Sequence, residues 1–110
     1  MRFSLPLTAA SVFAFAQVAV SAEAPEFALT LKNHLYLPSE LKVPANVKFK
    51  LRVTNSDATP EEFESTDFSR EAVVLPNRSV VVYVGPLRAG TYTFFGDFHR
   101  NTAQGRLLAE

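Results

Sequence analysis

The 110-residue chain has no cysteine, only two histidines and only four glycines. Without cysteine there is no disulfide, no thiolate ligand for a metal and no acceptor for a lipid anchor. With so little glycine, and none of it clustered, there is no phosphate-cradling loop. Two histidines, His34 and His99, form no nucleophilic triad with any neighbour visible in the sequence. Charge of one sign is lacking as well. Eleven basic residues balance eleven acidic ones, which argues against nucleic acid or an anionic membrane surface as a partner. There is no internal repeat and no low-complexity tract.

What is present first is an export signal. Arg2 gives a short basic region, Phe3 to Val20 is apolar with small residues, and Val20-Ser21-Ala22 has the small-residue pattern of a cleavage site. The apolar run is broken by Ser4, Pro6, Thr8, Ser11 and Gln17, and no basic stop-transfer cluster follows, so no membrane span is expected after cleavage near Ala22. No twin-arginine pair is present. The expectation is a chain exported unfolded to the periplasm, with residues 1–22 as signal peptide and residues 23–110 as one small domain. Lacking a disulfide, that domain must be stabilised by an apolar core.

The rest of the chain is a series of short strands. Phe27, Leu29 and Leu31 alternate with polar neighbours, as do Val47, Phe49, Leu51 and Val53, with Lys48, Lys50 and Arg52 facing outward. Asn33-His34 interrupts the alternation, and Pro44-Ala45-Asn46 is a turn, Asn46 being suited to a left-handed conformation. Glu40 to Val43, Glu61 to Glu64, Glu71 to Leu75 and Arg106 to Ala109 are further short strands. Ser79 to Val84 is strongly β-forming, with Val80, Val82 and Val84 on one face. Tyr92, Phe94 and Gly96 share a face in the strand that begins at Gly90. Seven or eight strands at regular spacing, with no amphipathic helix, indicate an all-β, Greek-key antiparallel β-sandwich.

The stretch Gly90–Gly105 ends this pattern with a break at Gly96 and a polar loop carrying Asp97 and His99. In a chain without cysteine, a carboxylate and an imidazole two residues apart make this the best place for a metal ion. The acidic run Asp57, Glu61, Glu62, Glu64, Asp67 and Glu71 is opposed only by Arg70.

Three stretches together resemble a cupredoxin: Leu41–Phe49, Asn55–Phe63, and Ala89–His99 continuing through Gln104-Gly105. They are similar to that family's second-strand hairpin, its first-histidine segment, and the strand and loop carrying its cysteine, second histidine and axial ligand. On that resemblance the first histidine falls on Glu61, the cysteine on Gly96, the second histidine on His99 and the axial methionine on Gln104. A blue copper centre needs a thiolate with two imidazoles, so an ordinary blue copper carrier is not expected. The segments Pro60–Ser65 and Phe94–His99 are similar, more narrowly, to cupredoxin-like periplasmic proteins of bacterial iron uptake. That resemblance implies handling or oxidation of ferrous iron, sometimes with copper, beside an iron permease or a periplasmic redox partner; since no residue here would store a second electron, any redox role is one-electron transfer.

Glu61, Glu62, Asp97 and His99 are therefore the expected ligands, with His34, Glu64 and Gln104 as secondary candidates. Carboxylates with one imidazole suit iron, manganese or cupric copper. Each residue also has a plainer reading: a loop histidine for His99 and His34, a loop cap for Asp97, a solvated edge for the glutamates, a loop brace for Gln104. Glu62 and Glu64 share one strand face and Glu61 lies on the other, so a regular strand cannot bring all three to one ion. The alternative function is a metal-free module that docks on a permease or other partner through its acidic window.

Overall fold

The structure, a computed structural model, describes Arg2, Ser4 and residues 23–110. Apart from those two residues, the expected signal peptide lies outside the described residues. Among the described residues no helix is long and apolar enough to cross a membrane.

Residues 26–109 form nine strands and one single-turn 3-10 helix. The strands are β1 (Glu26–Lys32), β2 (Leu35–Leu37), β3 (Glu40–Val43), β4 (Phe49–Asn55), β5 (Glu61–Ser65), β6 (Arg70–Val74), β7 (Ser79–Val84), β8 (Gly90–Gly96) and β9 (Gln104–Ala109), and the 3-10 turn spans Asp97–His99. They make two facing sheets, β2-β1-β4-β7 and β3-β9-β8-β5-β6. The expected sandwich is present, with one strand more than anticipated. Two of its pairings, β1 with β4 and β3 with β9, are parallel, so both sheets are mixed. Alternation along a strand reports which face is buried and carries no information on the direction of its neighbour.

The core is where the alternation places it. Leu29, Leu31, Phe49, Leu51, Val53, Phe63, Val74, Val82, Val84, Phe94 and Leu107 are buried between the sheets. Val47 is the exception. β4 starts only at Phe49, and Val47 lies in the preceding turn, exposed. At one end of the core Tyr36 packs edge-on against Phe94 and Phe63, with ring centroids 5.2 and 6.1 Å apart, the preferred geometry for aromatic pairs. Gly105 gives Phe94 its space, since a Cβ there would collide with the Phe94 ring.

The outward basic residues on β4 and just before it are occupied locally. Arg52 binds Glu26 with both its Nε and its terminal nitrogen at 3.2 Å, and the Lys48 ammonium sits 5.3 Å over the Tyr83 ring. At the end of the sandwich near Tyr36, four connections come together: the Asn33-His34 turn, the loop from β4 to β5, the turn from β6 to β7, and the loop from Gly96 to Gln104. Asn55 ties two of them from inside. Fully buried, it donates to the carbonyls of Thr59 and Val74 and accepts the N–H of Asp57.

Candidate metal centre

β5 begins with Glu61, and its first side chain turns inward, leaving Glu61 only 1 % exposed. A buried carboxylate is costly unless it is fully hydrogen-bonded, and this one is. Its Oε1 accepts the N–H of Phe98 at 2.8 Å and of Glu62 at 3.0 Å, and its Oε2 lies 2.5 Å from His99 Nδ1. His99 is fixed from behind: its carbonyl accepts the N–H of Ala103 and of Thr102, while the Gly96 N–H bonds the Ala103 carbonyl. These bonds wrap the loop around one turn and hold the imidazole over the end of β5.

The pair fits because residue 96 has no side chain. A Cβ on Gly96 would lie 2.5 Å from Glu61 Cδ, 2.8 Å from Glu61 Oε1 and 2.8 Å from Ala103 Cβ. The carboxylate thus occupies the space that a larger residue at position 96 would claim.

His34 lies beside this pair. Its ring stacks on that of His99 with centroids 3.6 Å apart and planes 16° from parallel. Asn33 and His34 both have positive φ, 52° and 57°, which non-glycine residues adopt only when something holds them there. The clamp is Asp57. Its Oδ1 accepts the Asn33 N–H at 2.7 Å and its Oδ2 accepts the His34 N–H at 2.9 Å. Burial pushes the Asp57 carboxyl up. The two N–H donors, with the nearby His34 and His99 imidazoles, outweigh that and hold it below the usual carboxylate range. A relay of positions therefore runs from Asn55 through Asp57 and His34 to His99 and Glu61.

Tyr36 completes this end. It is 2 % exposed, and its hydroxyl is the one buried side-chain polar atom without a hydrogen-bond partner among the described residues. Burial, and then the Glu61 charge, push its phenol above the ordinary tyrosine range.

The other expected ligands stand elsewhere. Glu62 points to the opposite face of β5, where it meets Glu64 and Asp97, with one oxygen of each within 4.8 Å of the others. The Glu62 carboxyl is pushed up by burial first and then by Asp97, Glu64 and Glu71. Asp97 is also bonded by Arg100 Nε at 2.6 Å, and that guanidinium lies 4.6 Å over the Phe95 ring. Of the expected ligands, Glu61 and His99 stand together, and Asp97 stands apart from them with Glu62 and Glu64. Neighbours in a strand face opposite ways, so Glu61 and His99 meet at the inner corner while Glu62 and Asp97 meet outside with Glu64. Gln104 is also outward, its amide donating to the Arg100 carbonyl at 2.7 Å, and the buried residue beside it is Ala103. Sequence reasoning missed Asp57 and Tyr36. Asp57 sat in a run read as a charged window, and Tyr36 was indistinguishable from an ordinary core aromatic.

A thiolate copper centre does not fit this corner, because the chain has no cysteine and Glu61 fills the space beside position 96. An ion that accepts oxygen and imidazole together does fit. Glu61 and His99 present an oxygen and a nitrogen face to face, with the His34 ring stacked on that of His99.

Comparison with known proteins agrees with this architecture. Auracyanin A, a blue copper protein from Chloroflexus aurantiacus, superposes with a TM-score of 0.69 at 16 % identity, covering 80 % of this chain and 100 % of that one. Amicyanin from Paracoccus versutus gives 0.61 at 17 % identity, over 84 % of this chain and 86 % of that one. A chain of a heme-copper terminal oxidase dimer gives 0.65 at 12 %, over 83 % and 68 %. At these identities the likeness is one of fold. In sequence, an uncharacterised protein of Rickettsia prowazekii, RP394, is 43 % identical over 83 residues, which is 76 % of this chain and 66 % of that protein, just under two thirds of its length. The cupredoxin-like domain profile matches residues 5–109, and the chain belongs to the cupredoxin-like domain family.

Proposed function

We propose that this chain is an exported metal-binding protein that holds one iron or cupric copper ion at the corner formed by Glu61, His99 and His34. We further propose that it serves iron uptake in the periplasm, beside a permease or a redox partner. The observation that carries the reading is the Glu61–His99 pair, set 2.5 Å apart in the space opened by Gly96. A carboxylate oxygen and an imidazole nitrogen hydrogen-bonded to each other can exchange that bond for a cation, because both bind hard and borderline ions. A bound ion would supply a one-electron centre.

The chain's own residues do the rest. Glu61 supplies charge, and its other oxygen stays anchored by two backbone N–H groups, which fixes the carboxylate plane. Asp57 holds the His34 ring against His99 through the backbone. Such outer partners fix ligand orientation, and their removal costs about 10–100-fold in metal affinity.

The test is calorimetric titration of the metal-free protein with Cu²⁺ and with Fe³⁺ delivered as its nitrilotriacetate complex. Elemental analysis of protein taken from the periplasm accompanies it. About one ion should bind, and Glu61→Gln with His99→Ala should abolish binding, whereas Glu62→Gln with Asp97→Asn should leave it. A second reading, a hard divalent cation on the outer face of β5, is favoured by the convergence of Glu62, Glu64 and Asp97 oxygens within 4.8 Å. The reverse sensitivity of the two double variants would select it.

A further inference from the structure

We propose that Tyr36 is a further oxygen ligand of the ion held by Glu61 and His99, which makes the corner a ferric site. This rests on the reading above and deepens it. A buried hydroxyl is normally paired, because leaving it unpaired forfeits its hydration without return. Tyr36 is 2 % exposed and its hydroxyl has no partner. Its ring packs on aromatic side chains. The ring lies edge-on to Phe94 at 5.2 Å and to Phe63 at 6.1 Å. Phenylalanine would fill that space equally well, so the core does not account for the oxygen.

Next to the ring stand the strands that build the metal corner. Phe63 is the cross-strand partner of Gly96, and Phe94 precedes Gly96 by two on the same face of β8. Tyr36 follows His34 by two, and Phe63, against which its ring packs, follows Glu61 by two on the buried face of β5. Carboxylate, imidazole and phenol are thus carried to the same end of the sandwich by β5, the 97–103 loop and β2.

The donor set has a chemical preference. Two anionic oxygens, the Glu61 carboxylate and a Tyr36 phenolate formed on binding, with one nitrogen, favour a small, highly charged ion over a soft or monovalent one. Fe³⁺ entering as its nitrilotriacetate complex displaces two protons, one from Tyr36 Oη and one from His99 Nδ1. Both are released to solvent, and nitrilotriacetate leaves as the other product. No electron is transferred.

Ferric phenolates absorb visible light through charge transfer from the ring to the metal, which carboxylate and imidazole complexes do not. The metal-free protein is titrated with ferric nitrilotriacetate while the visible spectrum is recorded. The wild type is expected to develop a broad visible band that saturates near one equivalent. Tyr36→Phe is expected to lose it, while Tyr83→Phe and Tyr92→Phe keep it. Circular dichroism checks that Tyr36→Phe is folded. Should that variant fail to fold, resonance Raman on the loaded wild type decides by the presence or absence of phenolate ring modes. Ferric binding without the band, or a band that survives Tyr36→Phe, overturns the role of Tyr36 and leaves the metal site standing. No uptake of Fe³⁺ or of Cu²⁺ by the wild type overturns both.

Discussion

Replacing Gly96 by alanine tests whether the space beside β8 belongs to Glu61. The added Cβ would sit 2.5 Å from Glu61 Cδ and 2.8 Å from Ala103 Cβ, and Ala103 is fully buried on a loop closed by its bonds to His99 and Gly96. Glu61 is therefore the group that must move. Overpacking of this kind costs about 1–3 kcal/mol. Displacing the carboxylate also breaks its bonds to His99 and to two N–H groups, and a hydrogen bond to a charged group is worth about 1.5–3 kcal/mol. With partial relaxation the total is about 3–5 kcal/mol, a large part of the ~5–15 kcal/mol that stabilises a domain. Urea unfolding followed by circular dichroism should show the midpoint falling by about 2 M at an m-value of ~1–3 kcal/mol/M. The decisive measurement is the double-mutant cycle with Glu61→Ala. In that background Gly96→Ala should cost only about 1 kcal/mol, from Ala103, giving a coupling of about 2 kcal/mol or more. A cost below 1 kcal/mol in the wild type, or the same cost in both backgrounds, refutes the complementarity of Gly96 and Glu61.

Four further outcomes are expected. Tyr36→Phe should stabilise the metal-free protein by up to about 1 kcal/mol, because it removes an unpartnered buried hydroxyl, and a thermal melt without metal reads this. Asp57→Ala should destabilise by about 1–3 kcal/mol through two orphaned N–H groups at a left-handed turn, and the NMR ring-current shifts between His34 and His99 should collapse. Asp67, whose Oδ2 accepts the N–H and hydroxyl of Thr93 at 2.7 and 2.9 Å, is held below the usual carboxylate range by those two bonds. The stability it contributes is full above the unfolded aspartate value of about 3.9 and is lost as pH falls through the depressed folded value. Asp67→Asn should accordingly flatten the acid limb of the stability curve, with an effect at neutral pH of about 1 kcal/mol or less at this exposed site. Glu62 has the opposite sign: its raised carboxyl makes the folded state favour the proton, a contribution present at low pH and lost as pH rises through the folded value. Glu62→Gln should therefore raise the urea midpoint at pH 7 and have no such effect near pH 4.

The strands were legible because burial between two sheets imposes a period of two. Leu29 and Leu31, Phe49 through Val53, and Val82 with Val84 are all where alternation places them. The turn at Asn46 was legible, because asparagine tolerates positive φ. Alternation also separated Glu61 from Glu62 and Glu64 before any coordinates, which is the split the structure displays. The absence of cysteine alone removed the thiolate centre.

The tertiary structure decided everything that depends on pairing between distant segments. The parallel registers of β1 with β4 and of β3 with β9 leave no local mark, since a strand's own pattern is the same for either direction of its neighbour. That Glu61 takes the volume beside Gly96 depends on residues 35 positions apart packing to within van der Waals distance. The stack of His34 on His99, and the role of Asp57 in setting it, depend on three loops meeting at one end. The sequence by itself determined the class of fold and the kinds of ligand available, because both follow from residue type and local period. Which ligands face one another was decided only by the closing of the two sheets, because a side chain's neighbours are set by contacts that the chain's own order does not encode locally.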